Sequence, residues 1–131
     1  MTRPRPRDRG AAAVEFAIIL PLLLLVIAGI VDYGRAFYTE IALTNAAREG
    51  ARAASVSTMT LGQIQARTAA AAPGLTVTTT ATLCPGSGNA SVTTRSNFEW
   101  ILLQPVMAIF VASDALPETL SSTAVMRCAS T

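Results

Sequence analysis

The stretch from Gly10 to Val31, G-AAAVEFAIILPLLLLVIAGIV, decides most of what this chain can fold into. From Ala11 to Val31 it is apolar except for one carboxylate, Glu15. That length is close to the ~20 residues a helix needs to cross a ~30 Å hydrocarbon core. The segment reads as a membrane anchor. An isolated acid inside such a helix costs ~2.5 to 3.5 kcal/mol on insertion scales, so Glu15 calls for a partner or a task.

The whole chain has 131 residues, enough for one small domain besides the anchor. Its 51% hydrophobic content is high for a soluble domain, and much of the excess sits in residues 11–31. The net charge of +2 conceals an asymmetry. Arg3, Arg5, Arg7 and Arg9 against Asp8 give the first ten residues +3, whereas six arginines against seven acids leave residues 11–131 at −1. The basic cluster is local to the apolar segment, which argues against a nucleic-acid partner. The chain has no lysine and no histidine, so Schiff-base chemistry, histidine catalysis and histidine metal ligation are excluded within it.

Positive charge before the apolar helix, with no such cluster just after it, puts the N-terminus in the cytoplasm and everything beyond Val31 outside. That side is oxidising. Both cysteines, Cys84 and Cys128, lie there, and a disulfide between them is the expected state. It would close a loop of about 45 residues, worth ~3 to 4 kcal/mol in the chain-entropy model.

Three readings compete for the first 31 residues. A cleaved secretory signal has an apolar core of ~7 to 15 residues followed by a small-x-small site. Here the uninterrupted run Phe16 to Val31 is longer, and VDYGRAFYTE after it offers no such site. A plain signal anchor accounts for the length and the flanking charge but gives Glu15 no role. The third reading places a processing site between Gly10 and Ala11, ahead of the apolar segment, which makes Glu15 the fifth residue of the mature chain.

A basic leader, Gly10, then A-A-A-V-E-F and an apolar helix resembles class III (type IV-like) prepilins, and more closely the TadE-like minor pilins, or pseudopilins, of tight-adherence (Flp) pili. The resemblance continues through Leu20-Pro21, G-I-V-D-Y-G-R at 29–35 and A-A-R-E-G-A-R at 46–52, and covers about the first 55 residues. It implies that a membrane-embedded prepilin peptidase removes residues 1–10, and that Glu15 and Phe16 are the family's fifth-residue glutamate and following aromatic. It also implies other partners: pilin and pseudopilin subunits, the membrane platform and the ATPase of the Tad system. The implied place is a single-pass membrane protein that helps to build, prime or tip a surface pilus.

The chemistry of Glu15 fits that implication. Cleavage after Gly10 exposes an α-amino group on Ala11 with an ordinary pKa near ~8, cationic at neutral pH. A carboxylate four residues along the helix can pair with that amine, or with the amine of a neighbouring subunit. Pairing with a neighbour satisfies both charges only in register, which is the best-attested use of buried ion pairs. Glycine before the cleaved bond lets a peptidase approach the backbone closely. Pro21 lacks the N–H that would bond to residue 17, so a kink is expected there.

From Asp32 the helix is expected to continue to about Ser57 as an amphipathic extension. Tyr33, Phe37, Ile41 and Thr44, extended by Ala47, Ala51 and Ala54, form a stripe expected to pack on the chain's own C-terminal domain. Asp32, Arg35, Glu40, Arg48, Glu49 and Arg52 surround it as solvated charges, with Glu49 and Arg52 spaced for an i,i+3 contact. Residues 58–131 read as the small domain. Leu61 to Ala72 suggests a short helix ended by Pro73-Gly74, and L-T-V-T-T-T-A-T-L-C from Leu75 suggests a strand. Pro85 to Asn89 reads as a turn and Ala90 to Arg95 as a return strand that extends towards Leu103. The run V-M-A-I-F-V-A after Pro105 fits a short helix or a buried strand, and Pro105 at its start favours the helix. T-L-S-S-T-A-V-M-R-C at 119–128 reads as a closing strand, expected beside the first one so that Cys128 approaches Cys84.

The fold class expected is therefore α+β: a long transmembrane and amphipathic helix, then a mostly antiparallel three-stranded sheet with short helices. No nucleophile-base set, metal-ligand spacing or phosphate loop occurs, and the remaining acids Glu99, Asp114 and Glu118 are scattered, so neither an enzyme nor a cofactor is expected. The reading from a different functional class is an uncleaved single-pass anchor that carries an outer binding module.

Overall fold

Alanine-rich sequence without a proline between residues 22 and 72 favours a long helix. In the computed structural model, which describes residues 6–56, 58–84, 88–110 and 116–129, α1 spans Pro6–Ala54. Pro21 lies inside it, and the helix continues on both sides. The helix is long and apolar enough to cross a membrane. It ends three residues before Ser57, the Ser55 N–H still reaching the Ala51 carbonyl at 2.9 Å. Then follow α2 (Leu61–Ala71), β1 (Thr78–Thr82), β2 (Asn89–Asn97), α3 (Leu103–Phe110) and β3 (Thr119–Arg127). Helix α2 is started by a capping box: the Thr60 hydroxyl accepts from the Gln63 N–H, while the Gln63 side chain accepts from the Thr60 N–H at 2.9 Å. Two otherwise orphaned donors are thereby satisfied.

The chain divides into two compact units, one of Arg35–Glu99 with Leu116–Thr131 and the other of Met1–Gly34 with Trp100–Ala115. In the first, the three strands form an antiparallel sheet in the order β1-β2-β3. The register pairs Thr80 with Thr93 and Thr93 with Thr123, and Thr and Ser supply most of one face beside Arg95, Val125 and Arg127. That outer face is open to water. The inner face carries Thr79, Ala90, Val92, Thr94 and Ser96, all buried. Period-2 alternation thus separates a wet face from a packed one, as it does for any half-buried antiparallel sheet.

The C-terminal part of α1 covers that inner face with small residues: Leu43, Ala46, Ala47, Gly50, Ala51 and Ala54 are buried, at the three- and four-residue steps of one helix stripe. Ile64 of α2 and Val92 of β2 complete the cluster with Ala51, Ala53, Ala54 and Ala90. Buried hydroxyls are satisfied within it. Thr94 Oγ1 donates to the Leu43 carbonyl at 2.9 Å, and the Thr68 and Thr79 hydroxyls share a bond of 2.6 Å. Glu49 accepts from Arg52 Nε at 3.0 Å and from Arg67 of α2 at 3.5 Å. The Arg52 hydrogen bond, helped by the nearby charges of both arginines, holds the Glu49 carboxyl below the usual carboxylate range.

Cys84 and Cys128 form a disulfide with a Cα separation of 5.7 Å. The closing strand does not lie beside the first, as the sequence suggested; β2 is central and β3 pairs with it along nine residues. The bridge needs no adjacency because both cysteines lie just past the ends of their strands, at the end of the sheet where β2 begins. There the Cys128 N–H bonds to the Gly88 carbonyl at 2.9 Å and the Ala129 N–H to that of Ser55 at 3.1 Å. Strand β1 is shorter than expected, starting at Thr78, and β2 stops at Asn97. Of the expected turn at 85–89, residues 85–87 lie outside the described residues, as do residues 111–112, and Asn89 already belongs to β2. Residues 103–110 are helical, which decides between the two readings of that run.

The stripe expected to pack is also revised. Its alanines are buried, but Phe37 and Ile41 are 61% and 62% exposed. The stripe that meets the sheet is rotated towards the smaller side chains, because the helix approaches closely. A Cβ on Gly50 would lie 2.5 Å from Thr68 Cγ2 and 2.9 Å from Val92 Cγ1. Thr68 is pinned by its bond to Thr79 and Val92 belongs to the central strand, so neither can yield cheaply. Alanine at an open helix site gains about 1 kcal/mol over glycine, whereas overpacking costs about 1 to 3 kcal/mol. Gly50→Ala is accordingly expected to lower the denaturant midpoint of the disulfide-bonded chain in detergent, by a net of about 1 kcal/mol. An unchanged or raised midpoint contradicts this packing.

Candidate functional site

Among the described residues, two places combine a carboxylate with apolar surroundings. The first is the start of the apolar segment. Gly10, Ala11, Glu15 and Phe16 all lie on α1, with Ala11 and Glu15 one helical turn apart, and all four are exposed. Glu15 has no hydrogen-bond or ion-pair partner among the described residues. A Cβ at Gly10 would meet nothing within 4 Å, so packing inside this chain does not ask for glycine there. The same holds for Gly29 and Gly34.

Phe16 begins a series of exposed large side chains that continues through Ile18, Ile19, Leu22, Leu23, Leu24, Val26, Ile27 and Ile30. The series does not stop where the membrane-length segment ends. Tyr38 is 64% exposed, much like Phe37 and Ile41. Isolated exposed apolar residues are normal, but a continuous run along several helical turns marks a surface that something covers.

The second place is Asp32, which the sequence left among the solvated charges and which is fully buried. It lies in the unit of Met1–Gly34 and Trp100–Ala115. One carboxylate oxygen, Oδ2, accepts the backbone N–H of Leu102 at 2.8 Å and of Leu103 at 2.7 Å. Leu103 is the first residue of α3, so Asp32 supplies in space the capping acceptor that an N-terminal Asp or Ser supplies locally. A negative charge there also suits the positive end of the helix dipole. Beside it Tyr33 and Trp100 meet edge to face with centroids 5.5 Å apart. Nothing in the sequence links Asp32 to Leu102 seventy residues away. The available signal is an acid placed directly after the apolar run.

The remaining hollows offer little chemistry. One of ≈ 420 Å³ is lined by Gly74, Leu75, Thr76, Thr78, Ser96 and Asn97, none of which titrates near neutral pH. Another of ≈ 370 Å³ borders Phe37, Glu40, Ile41, Thr44, Asn45 and Arg48 along α1. Among the described residues no set of three acids or cysteines gathers to hold a metal ion.

The family model of TadE-like proteins matches residues 10–52 of this chain. The match begins at Gly10 and ends at Arg52, so it takes in Glu15, Phe16, Pro21, Asp32, Tyr33 and Gly50 and leaves α2, α3 and the sheet outside. No curated protein and no solved structure matches the chain. The matched residues include the helix that is long and apolar enough to cross a membrane.

Removing the Asp32 carboxylate leaves two backbone donors of the α3 start unpaired, each lost bond to a charged acceptor being worth about 1.5 to 3 kcal/mol. Asp32→Ala is expected to speed amide exchange across residues 103–110 by roughly 10- to 100-fold while leaving the strands protected. Asp32→Asn, which keeps one acceptor oxygen, is expected to have a smaller effect. Unchanged exchange in the alanine variant contradicts the capping role.

Proposed function

We propose, from the TadE-like segment at residues 10–52, that this chain is a minor pilin: a prepilin that is inserted in the membrane, cleaved after Gly10 and used in assembling, priming or tipping a Tad/Flp-type pilus. Its task on this reading is assembly and not catalysis. Its partners are the prepilin peptidase, other pilin and pseudopilin subunits, and the platform and ATPase of the Tad secretion system. The basic leader lies on the cytoplasmic side and the sheet on the outer side.

The observation that carries the proposal is Glu15, exposed and without a partner among the described residues, at the start of a helix whose large apolar side chains are open to their surroundings. Lipid satisfies such side chains but not a carboxylate. An α-amino group on Ala11, one turn away, satisfies it, whether supplied by the same chain or by a neighbour. Gly10 points the same way: no internal contact explains a glycine, whereas close approach of a peptidase to the bond after it does. Phe37, Tyr38 and Ile41 carry the open face past the membrane-length segment, where lipid no longer covers it and neighbouring subunits would.

Removing one partner of a desolvated ion pair costs about 3 to 5 kcal/mol, because the other charge is left uncompensated. Glu15→Ala is therefore expected to be processed at the leader like the parent chain, yet to fall by roughly 100-fold or more in sheared filament fractions. Normal incorporation of this variant, measured by immunoblot against the sheet domain, excludes the registration role.

A further inference from the structure

Residues 101–112 read I-L-L-Q-P-V-M-A-I-F-V-A, twelve positions without a charge and with Gln104 the only strongly polar side chain. Such a run is too short to span a bilayer and has the length typical of a core helix or of an interfacial or re-entrant segment. The segment is only partly covered within the chain: Ile101 is 58% exposed and Leu102 41%, Pro105 and Ala108 are exposed as well, and Val106 and Met107 are half-buried. Among the described side chains of the segment, Trp100 and Leu103 are buried.

Its position decides what covers the exposed residues. Asp32 directly follows the apolar run of α1 and holds the N–H groups of Leu102 and Leu103, so the start of α3 lies at the level where the hydrocarbon ends. Tyr33 and Trp100, packed edge to face, add the two aromatic types that favour that boundary. On α1 itself, Leu25, Ala28, Gly29 and Asp32 are less exposed than the leucines and isoleucines around them. They follow i, i+3, i+4, i+7 spacing, one stripe that runs back from Asp32 into the apolar segment. The same unit holds the segment that starts at Trp100, whose Leu102 and Leu103 N–H groups meet Asp32 at the end of that stripe.

We propose that Ile101–Phe110 is a second membrane contact of this chain: an apolar flap, latched at its start by Asp32, that dips beside α1 into the outer leaflet of the lipid bilayer. The proposal rests on reading the first half of α1 as a membrane span. Lipid tolerates a helix end only where its free backbone donors find acceptors. Asp32 meets that requirement for Leu102 and Leu103, and Pro105 brings no donor to the first turn. The eight residues of α3 measure about 12 Å, less than half the hydrocarbon thickness, so the flap enters one leaflet only. The disulfide-bonded domain is thereby anchored to the membrane at two places, so its extraction by a growing pilus requires the flap to leave the lipid together with α1.

The test uses the full chain with its disulfide intact, reconstituted in phosphatidylcholine vesicles, with a spin label on one added cysteine at a time. Ile101→Cys and Ala108→Cys report on the flap, Leu24→Cys on the α1 span and Ser121→Cys on the open sheet face. All four positions are exposed, so labelling does not disturb packing. Labels at Ile101 and Ala108 are expected to be relaxed more by oxygen than by a water-soluble nickel chelate, as at Leu24, with the order reversed at Ser121. Flap labels that behave like Ser121 while Leu24 still reads lipid overturn the flap and leave the anchor standing. Flap labels shielded from both reagents also overturn it, since protein then covers the segment. A water signal at Leu24 overturns the anchor and the flap together.

Discussion

A helix of 49 residues carries far more apolar surface than a three-stranded sheet can cover, and most features of this chain answer that imbalance. The sheet takes one stripe of the last third of α1, where alanines and Gly50 permit close approach. Earlier on the helix Ala28 and Asp32 are buried, while the large aliphatic side chains are open to their surroundings. The series from Phe16 to Ile30 suits lipid, since no water-facing protein exposes so continuous a run of large aliphatic side chains. Burying that run in hydrocarbon makes every polar group along it conspicuous. Two carboxylates result, Glu15 and Asp32, and they resolve their situations differently.

Asp32 is satisfied within the chain. Its carboxylate joins the end of the apolar segment to the start of α3, so a group that would be costly if buried alone becomes a fastening between segments seventy residues apart. Glu15 has no such fastening among the described residues. The contrast explains why Glu15, and not Asp32, is the group assigned to assembly. The sheet domain needs little further support: a small alanine-rich core, a two-arginine clasp on Glu49 and the bridge between Cys84 and Cys128 hold it. Closing a loop of 44 residues is worth about 3 to 4 kcal/mol, a substantial share of the stability of so small a core.

Much of this architecture was legible in the residues. The unbroken alanine-rich stretch places the C-terminal end of the helix to within three residues, although α1 starts at Pro6, inside the expected leader; Thr60 to Gln63 opens α2 in the expected place, and β-branched runs mark all three strands. The disulfide was legible from the compartment that the charge asymmetry implies. Strand order was not, because a bridge between residues just past two strand ends is compatible with a strand lying between them. The packed stripe of α1 was misjudged for a related reason: aromatic and aliphatic bulk looks like core by periodicity, while the central strand selects the stripe with the smallest side chains. Asp32 was passed over because its partners are backbone groups, which leave no pattern in a sequence. Of the proposed site, Gly10, Glu15 and Phe16 come from the motif; all three lie on α1, and Glu15 has no partner among the described residues.

The lack of a partner for Glu15 among the described residues is the central point. An amine on Ala11 is what a carboxylate at position 15 can use, and only hydrolysis of the bond after Gly10 creates it. The most direct measurement is the intact mass of the chain purified from cell envelopes of a strain with a functioning Tad apparatus. A mature chain that begins at Ala11 is the predicted result. A chain that still begins at Met1 while pili assemble normally contradicts the account and leaves an anchored outer domain with no part in leader-dependent assembly.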